Sequence, residues 1–384
     1  MKNLSPRWFS LRSGIRGAGD YLESVDTLRG WAIVMVFLFH AWGISGAPEA
    51  VTGDVLLLAF VEAGRTGVTL FFVISGFLLS LPWLSSKLQG EPSPRVGNYY
   101  LARVLRILPL YCCAVGLSAV VSGEWQVALR AITFQFVGFE IFPFSVVWWT
   151  LTTEVQFYLL LPLLMWLLLA GPLHRICLII LLLAWGFFYF TEVLSNPGGE
   201  VVGSYFFTKS IFARLPAFLV GIVAAWIYLR LRSKPALTAR RTRVLGMLVI
   251  GLSVLILDRI LRATVSLGEL ASERSWHIHH TYESLLWMAV LLAFVLPGRS
   301  GMLVGFHRWM AYIGKLSYSL YLWHVPVLFY LIYPFKGRMG EDYYGSSAFY
   351  LLPVMAFIMS LLVSVLTYRW IELPALNFKR RLPV

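Results

Sequence analysis

TGVTLFFVISGFLLSLPWLS, residues 66–85, contains no charged side chain. About 20 mostly apolar residues in helical geometry rise ~30 Å, the thickness of a bilayer's hydrocarbon core. Pro82 is its one strong helix breaker, and membrane helices tolerate proline where neighbouring helices satisfy the freed backbone groups. The segment therefore reads as a transmembrane helix. Working outward, the same reading gives ten approximate spans, at 28–46, 66–85, 105–121, 149–170, 174–191, 211–229, 244–261, 281–297, 311–333 and 347–370. The chain is 59% hydrophobic and 13% charged. An ordinary soluble domain carries about 25% charged residues, so that class is excluded. A disordered chain would lack the 15 Trp, 18 Tyr and 27 Phe present here.

The net charge of +13 is distributed as orientation signals and not as a nucleic-acid face. With the N-terminus inside, 23 of the 32 Lys and Arg fall on cytoplasmic segments, six of them in 230–243 with no acidic residue. Cytoplasmic loops carry such an excess, which places both termini in the cytoplasm. The fold expected is an all-α polytopic bundle of about ten spans. A cytoplasmic N-terminal segment (1–27) precedes a transmembrane domain (28–370) and a cytoplasmic tail (371–384). No cleavable signal is visible, and no internal repeat suggests an inverted-repeat transporter. Cys112, Cys113 and Cys177 lie in apolar runs and read as lipid- or core-facing fillers.

Titratable groups inside spans are costly, which makes each a functional candidate. Arg29 and His40 are eleven residues apart, about three turns and ~16 Å along one helix face. An unperturbed histidine titrates near neutrality and suits proton transfer; a snorkelling arginine and a structurally bonded histidine are the plainer alternative. Arg103 and Arg106, at i and i+3 in RVLRILPLY, form a fork suited to phosphates, although positive-inside anchoring also explains them. Glu154 has Tyr158 at i+4 on the same face. A carboxylate at that depth must find a proton, a cation or donors. It can orient a histidine, bind a sugar hydroxyl, or pair with Arg65 or Arg214. His324 follows Tyr321 by three residues and precedes Pro326 by two, as either a kink-satisfying or a functional histidine. Gly76 reads as a close helix contact. His277, His279 and His280 have metal-like spacing, but they fall in an expected outer loop without cysteine, and no metal site is assigned. No P-loop, dinucleotide-binding turn or nucleophile elbow is present.

Six stretches together carry a resemblance: VDTLRGWAIVMVFLFH (25–40), GVTLFFVISGFLLS (67–80), YYLARVLRILPLY (99–111), WWTLTTEVQFYLLLP (148–162), LSYSLYLWHVPV (316–327) and RWIELP (369–374). In order and content they resemble the acyltransferase-3 family of polytopic, acyl-CoA-dependent O-acyltransferases. The family's Arg, ten residues, His element falls on Arg29 and His40, and its Arg-x-x-Arg element on Arg103 and Arg106. Thr27, Thr69 and Leu373 depart from the pattern, where a small residue, Asp and a basic residue are common. Some members carry a fused extracytoplasmic hydrolase-like domain, and the chain resembles the stand-alone type.

The resemblance implies acyl-CoA, most simply acetyl-CoA, as co-substrate with no bound cofactor. Arg29, Arg103 and Arg106 would bind its phosphates, and His40 and Glu154 would be catalytic, with Glu154 orienting His40 or the acceptor. Asp26, Ser75, Tyr158, Tyr321 and His324 would act as supporting or acceptor-side groups. The acceptor would be a hydroxyl of a surface polysaccharide, lipopolysaccharide or glycolipid, or of a small molecule such as a macrolide. The expected location is the cell membrane, multi-pass, with lipid, acyl-CoA and acceptor as partners and no nucleic acid. A proton-coupled transporter or flippase using His40, Glu154 and His324 is the competing class. It leaves the convergence of the three arginines unexplained.

Overall fold

The computed structural model describes residues 18–46, 63–194, 205–232, 246–249, 251–253, 255, 256, 273–296 and 304–381. Among them every regular element is helical, as lipid demands of a backbone that must satisfy its own polar groups. The longer helices are α1 (Ala18–Ser45), α2 (Thr66–Gln89), α3 (Val96–Ser122), α4 (Trp125–Ile132), α5 (Trp148–Leu169) and α6 (Pro172–Phe188). They continue as α7 (Ile211–Arg232), α8 (Glu273–Val295), α9 (Val304–Lys315), α10 (Ser317–Met339), α11 (Ser347–Thr367) and α12 (Leu373–Arg381). A π-helical turn, Tyr368–Glu372, joins α11 to α12.

Apolar patterning sets each helix's place. The segment that opened the sequence reading, α2, is buried along nearly its whole length and forms the centre of the bundle. In α6 only Leu178 is buried, while Ile179, Ile180 and Leu183 are exposed, the surface of a peripheral helix facing acyl chains. Glycines allow the closest crossings. A Cβ on Gly76 would lie 2.2 Å from the Phe218 carbonyl oxygen, and one on Gly221 would lie 2.2 Å from that of Val73, so α2 and α7 touch backbone to backbone. Gly76 is thus the helix contact the sequence suggested. Gly30 on α1 and Gly314 on α9 make a second such crossing, against Met310 and Asp26.

Seven described stretches are long and apolar enough to cross a membrane: Glu23–Ser45, Thr66–Gln89, Val96–Ser122, Ser145–Leu169, Pro172–Glu192, Phe206–Arg232 and Ser347–Phe378. They coincide with seven of the ten expected spans. The span expected at 311–333 falls on α9 and α10, which together are apolar enough to cross but meet at a bend of 76°. Two features produce the bend. Gly314 is pressed against the Asp26 carbonyl of α1. In addition α9 is amphipathic, with Arg308, Trp309, Tyr312 and Lys315 exposed and Met310, Ala311 and Ile313 buried. Such a helix suits a membrane–water boundary. At 281–297 the apolar helix is His280–Val295, shorter than a full span. The span expected at 244–261 lies largely outside the described residues. Residues from Glu273 onward, expected in an outer loop, already belong to α8, and α1 begins at Ala18, within the segment expected to precede the first span.

Candidate functional site

Polar side chains from five helices converge inside the bundle. Arg29 (α1), Ser75 (α2), Arg103 and Arg106 (α3), Glu154 and Tyr158 (α5) and Tyr321 (α10) all line one cavity, whose ≈690 Å³ of empty space includes part of its open mouth. Val68, Phe71, Phe72, Ile107 and Leu151 complete an apolar wall.

Helix directions give the cavity its axis. From the arginine end, the lining residues run from Tyr158 to Thr150 on α5, from Ser75 to Val68 on α2, and from Ser317 to Tyr321 on α10. Eight residues of α5 correspond to ~12 Å of depth. The same direction along the unbroken α1 leads from Arg29 toward His40, and along α10 from Ser317 toward His324.

The three arginines are held differently. Arg106 Nη1 lies 2.8 Å from Glu372 Oε2, and Glu372 is almost fully buried; the Ser319 hydroxyl also donates to Glu372. Arg29 Nη1 is 3.9 Å from Asp26 Oδ1, a looser contact. Arg103 stands over the Tyr158 ring at 5.7 Å, and its buried Nε has no hydrogen-bond partner among the described residues. Of the three, Arg103 is the guanidinium with most donor capacity in reserve. Glu154 accepts a hydrogen bond of 2.7 Å from the Ser75 hydroxyl, and Tyr158 lines the same cavity. Beyond it the Thr150 hydroxyl bonds Tyr321 Oη at 2.9 Å.

His40 is not among the cavity-lining residues. Its Nδ1 lies 2.9 Å from the Val36 carbonyl and 3.1 Å from His324 Nε2. His324 is fully buried, with Nδ1 at 2.9 Å and 3.1 Å from the Tyr321 and Leu320 carbonyls. The Tyr321 ring, 5.7 Å from that of His324, separates the cavity from the histidine pair. Glu154, expected to orient His40 or the acceptor, accepts from Ser75, and the ring partner of His40 is His324.

Two carboxylates escaped the sequence reading. Glu372 lies within RWIELP, and its sequence signal is a carboxylate at the end of an apolar span. Glu283, buried in α8, meets the Thr69 hydroxyl at 3.3 Å, and Thr69 also lies 3.1 Å from His280 Nδ1. Thr69 stands where the resembled family frequently has Asp, so here the carboxylate in that region comes from another helix. Among the described residues no group of three His, Cys, Asp or Glu is disposed to hold a metal ion. Cys112, Cys113 and Cys177 are free, the last two exposed.

Among the described residues, lipid-length apolar helices enclosing an arginine-lined cavity define a multi-pass membrane protein. The family model described as an acyltransferase domain, that of acyltransferase-3, matches residues 22–369. The chain belongs to that family. It is 24% identical over 389 aligned residues to the O-acetyltransferase OatA of Staphylococcus aureus, an alignment covering 92% of this chain and 57% of the relative. It is 25% identical to the putative acetyltransferase ORF330 of Acidianus two-tailed virus, covering 80% and 83%, and 22% identical to the putative O-acetyltransferase SACOL0978 of Staphylococcus aureus, covering 92% and 57%. The chain thus spans little more than half the length of the staphylococcal relatives it matches. No solved structure matches it.

Proposed function

We propose that the protein is an integral membrane O-acyltransferase. It moves an acetyl group from cytosolic acetyl-CoA to a hydroxyl of a carbohydrate-containing acceptor, such as a cell-surface polysaccharide, lipopolysaccharide or glycolipid. It sits in the cell membrane with both termini cytoplasmic. The observation that carries this reading is the convergence of Arg29, Arg103 and Arg106 with Glu154 on one cavity, in a chain whose relatives are described as O-acetyltransferases.

The arginines take the phosphates of CoA at the cavity mouth, where charge-assisted and bidentate contacts are strongest. The pantetheine arm follows the apolar wall toward Thr150 and Tyr321. Glu154 keeps free lone pairs for N–H or O–H groups of the reactants and positions them. Nε2 of His40 takes the proton of the acceptor hydroxyl as its oxygen attacks the thioester carbonyl. The C–O bond forms, the C–S bond breaks, and the imidazolium returns its proton to the leaving thiolate. General-base assistance of this kind contributes typically about 10²–10⁴-fold.

Acetyl-CoA binding to the purified, detergent-solubilised protein tests the reading without knowledge of the acceptor. Saturable binding is expected, weakened by about 10-fold or more in Arg103→Ala. Arg103 is chosen because substituting Arg106 would strand the buried Glu372. Absence of binding by a folded wild-type protein would overturn the proposal and favour a transporter.

A further inference from the structure

We propose that His324 is a positioning residue that fixes the tautomer of His40, so that Nε2 of His40 presents a bare lone pair. The inference rests on the reading of His40 as the base. Its ground is a chain of four ring nitrogens and three carbonyls. A carbonyl oxygen only accepts, so Nδ1 of His324, within 3.1 Å of both the Leu320 and Tyr321 carbonyls, carries a proton. In a neutral ring Nε2 of His324 is then an acceptor. It faces Nδ1 of His40 at 3.1 Å, and that atom must be the donor, as its 2.9 Å approach to the Val36 carbonyl also requires. The single proton of a neutral His40 is thereby placed on Nδ1, and Nε2 is left bare. Among the described residues, Nε2 of His40 has no hydrogen-bond partner, and His40 is partly accessible while His324 is fully buried.

Val36 alone would hold this arrangement weakly, because in the unbroken helix its carbonyl already accepts the backbone N–H of His40. Among the described residues, Nε2 of His324 meets no other donor. It also has a task during turnover. When His40 becomes an imidazolium, its Nδ1–H bond to His324 strengthens, as the orienting group of a catalytic triad supports its histidine. A neutral histidine does this without placing a carboxylate in an apolar interior, where an ionised group is expensive.

The test reads the tautomer directly. The full chain is purified with isotope-labelled histidine, and the ring-nitrogen NMR signals of His40 are assigned by their loss in His40→Ala. In the wild type, Nδ1 of His40 is expected protonated and Nε2 unprotonated. His324→Gln, whose side-chain oxygen reaches the position of Nε2, should preserve that state; His324→Asn, too short to reach His40, and His324→Leu should lose it. Turnover, read as CoA release with an N-acetylglucosamine oligosaccharide as acceptor, should follow the same order. His324→Leu and His324→Asn are expected about 100-fold or more below His324→Gln, with the acetyl-CoA KM unchanged. A role in packing alone would treat Asn and Gln alike and leave the His40 signals unmoved, and either result overturns the proposal. If His324→Leu fails to fold, the Gln and Asn variants decide. Full turnover by His40→Ala would instead remove the base itself, which the tautomer measurement keeps distinguishable from failure of the His324 role.

Discussion

Arg106 and Glu372 form an ion pair at 2.8 Å between residues 266 positions apart, and the carboxylate is almost entirely out of contact with solvent. The pair fastens the π-helical turn at the end of α11 to the mouth of the cavity, so one of the three expected phosphate contacts also has a structural duty. Removing one partner of a buried pair leaves an uncompensated charge and costs about 3–5 kcal/mol. Glu372→Gln and Arg106→Met are each expected to lower the unfolding temperature in detergent markedly. Replacing both residues by apolar ones of similar volume should recover much of that stability while leaving donor binding weakened. A double variant as unstable as either single one would show that the pair is held by something other than its charges.

Arg103 differs from Arg106 in having no carboxylate partner among the described residues, so its substitution separates binding from folding. Arg103→Ala is expected to weaken acetyl-CoA binding by about 10-fold or more, the scale of one charge-assisted contact of about 1.5–3 kcal/mol, with an unchanged unfolding temperature. Arg103→Lys should restore only part of it, since a single ammonium cannot reproduce a planar two-pronged contact. Equilibrium binding beside a melting curve checks both statements, and equal affinity in all three proteins would remove Arg103 from the donor site.

Glycine contacts allow a prediction of opposite signs at two helical positions. Gly76 faces the Phe218 carbonyl so closely that a methyl group cannot enter without parting α2 from α7, whereas a Cβ on Gly116 in α3 meets nothing within 4 Å. Gly76→Ala is expected to destabilise the bundle, and Gly116→Ala to be neutral or to stabilise it by up to about 1 kcal/mol through helix propensity. Thermal unfolding of the two variants in one detergent makes the comparison.

Much of this architecture was legible in the sequence because lipid imposes a simple rule of length and apolarity, and α2 obeys it without exception. The rule fails where a helix need not cross the bilayer. Residues 311–333 are apolar enough for a span, yet Gly314 and the polar face of α9 turn the chain at Leu316. Arg29, Arg103, Arg106 and Glu154 could be singled out because charge within an apolar run is conspicuous. The three arginines could be expected on one side of the membrane, but that Glu154 shares their cavity could not be seen, since it depends on how separate helices pack together. Nor could the partners: Glu372 is distant in sequence from Arg106, and His324 from His40, and no local pattern links either pair.

Tyr321 adjoins both the cavity and the histidine pair. Its ring lines the cavity, its hydroxyl bonds Thr150, and its carbonyl takes the Nδ1 proton of His324. A thioester entering past the arginines toward His40 must pass this ring. Tyr321→Phe removes only the hydroxyl, and the Thr150 hydroxyl keeps its bond to the Val147 carbonyl. Transfer is therefore expected to fall by less than about 10-fold, the scale of one neutral hydrogen bond of about 0.5–1.5 kcal/mol. Tyr321→Trp adds volume to a packed wall, where overpacking costs about 1–3 kcal/mol and displaces neighbours. It should abolish transfer while acetyl-CoA still binds at the arginine end. CoA release measured beside acetyl-CoA binding distinguishes the two effects. A Trp variant with wild-type turnover would mean that the acyl group reaches His40 by another route, from the partly accessible side of α1.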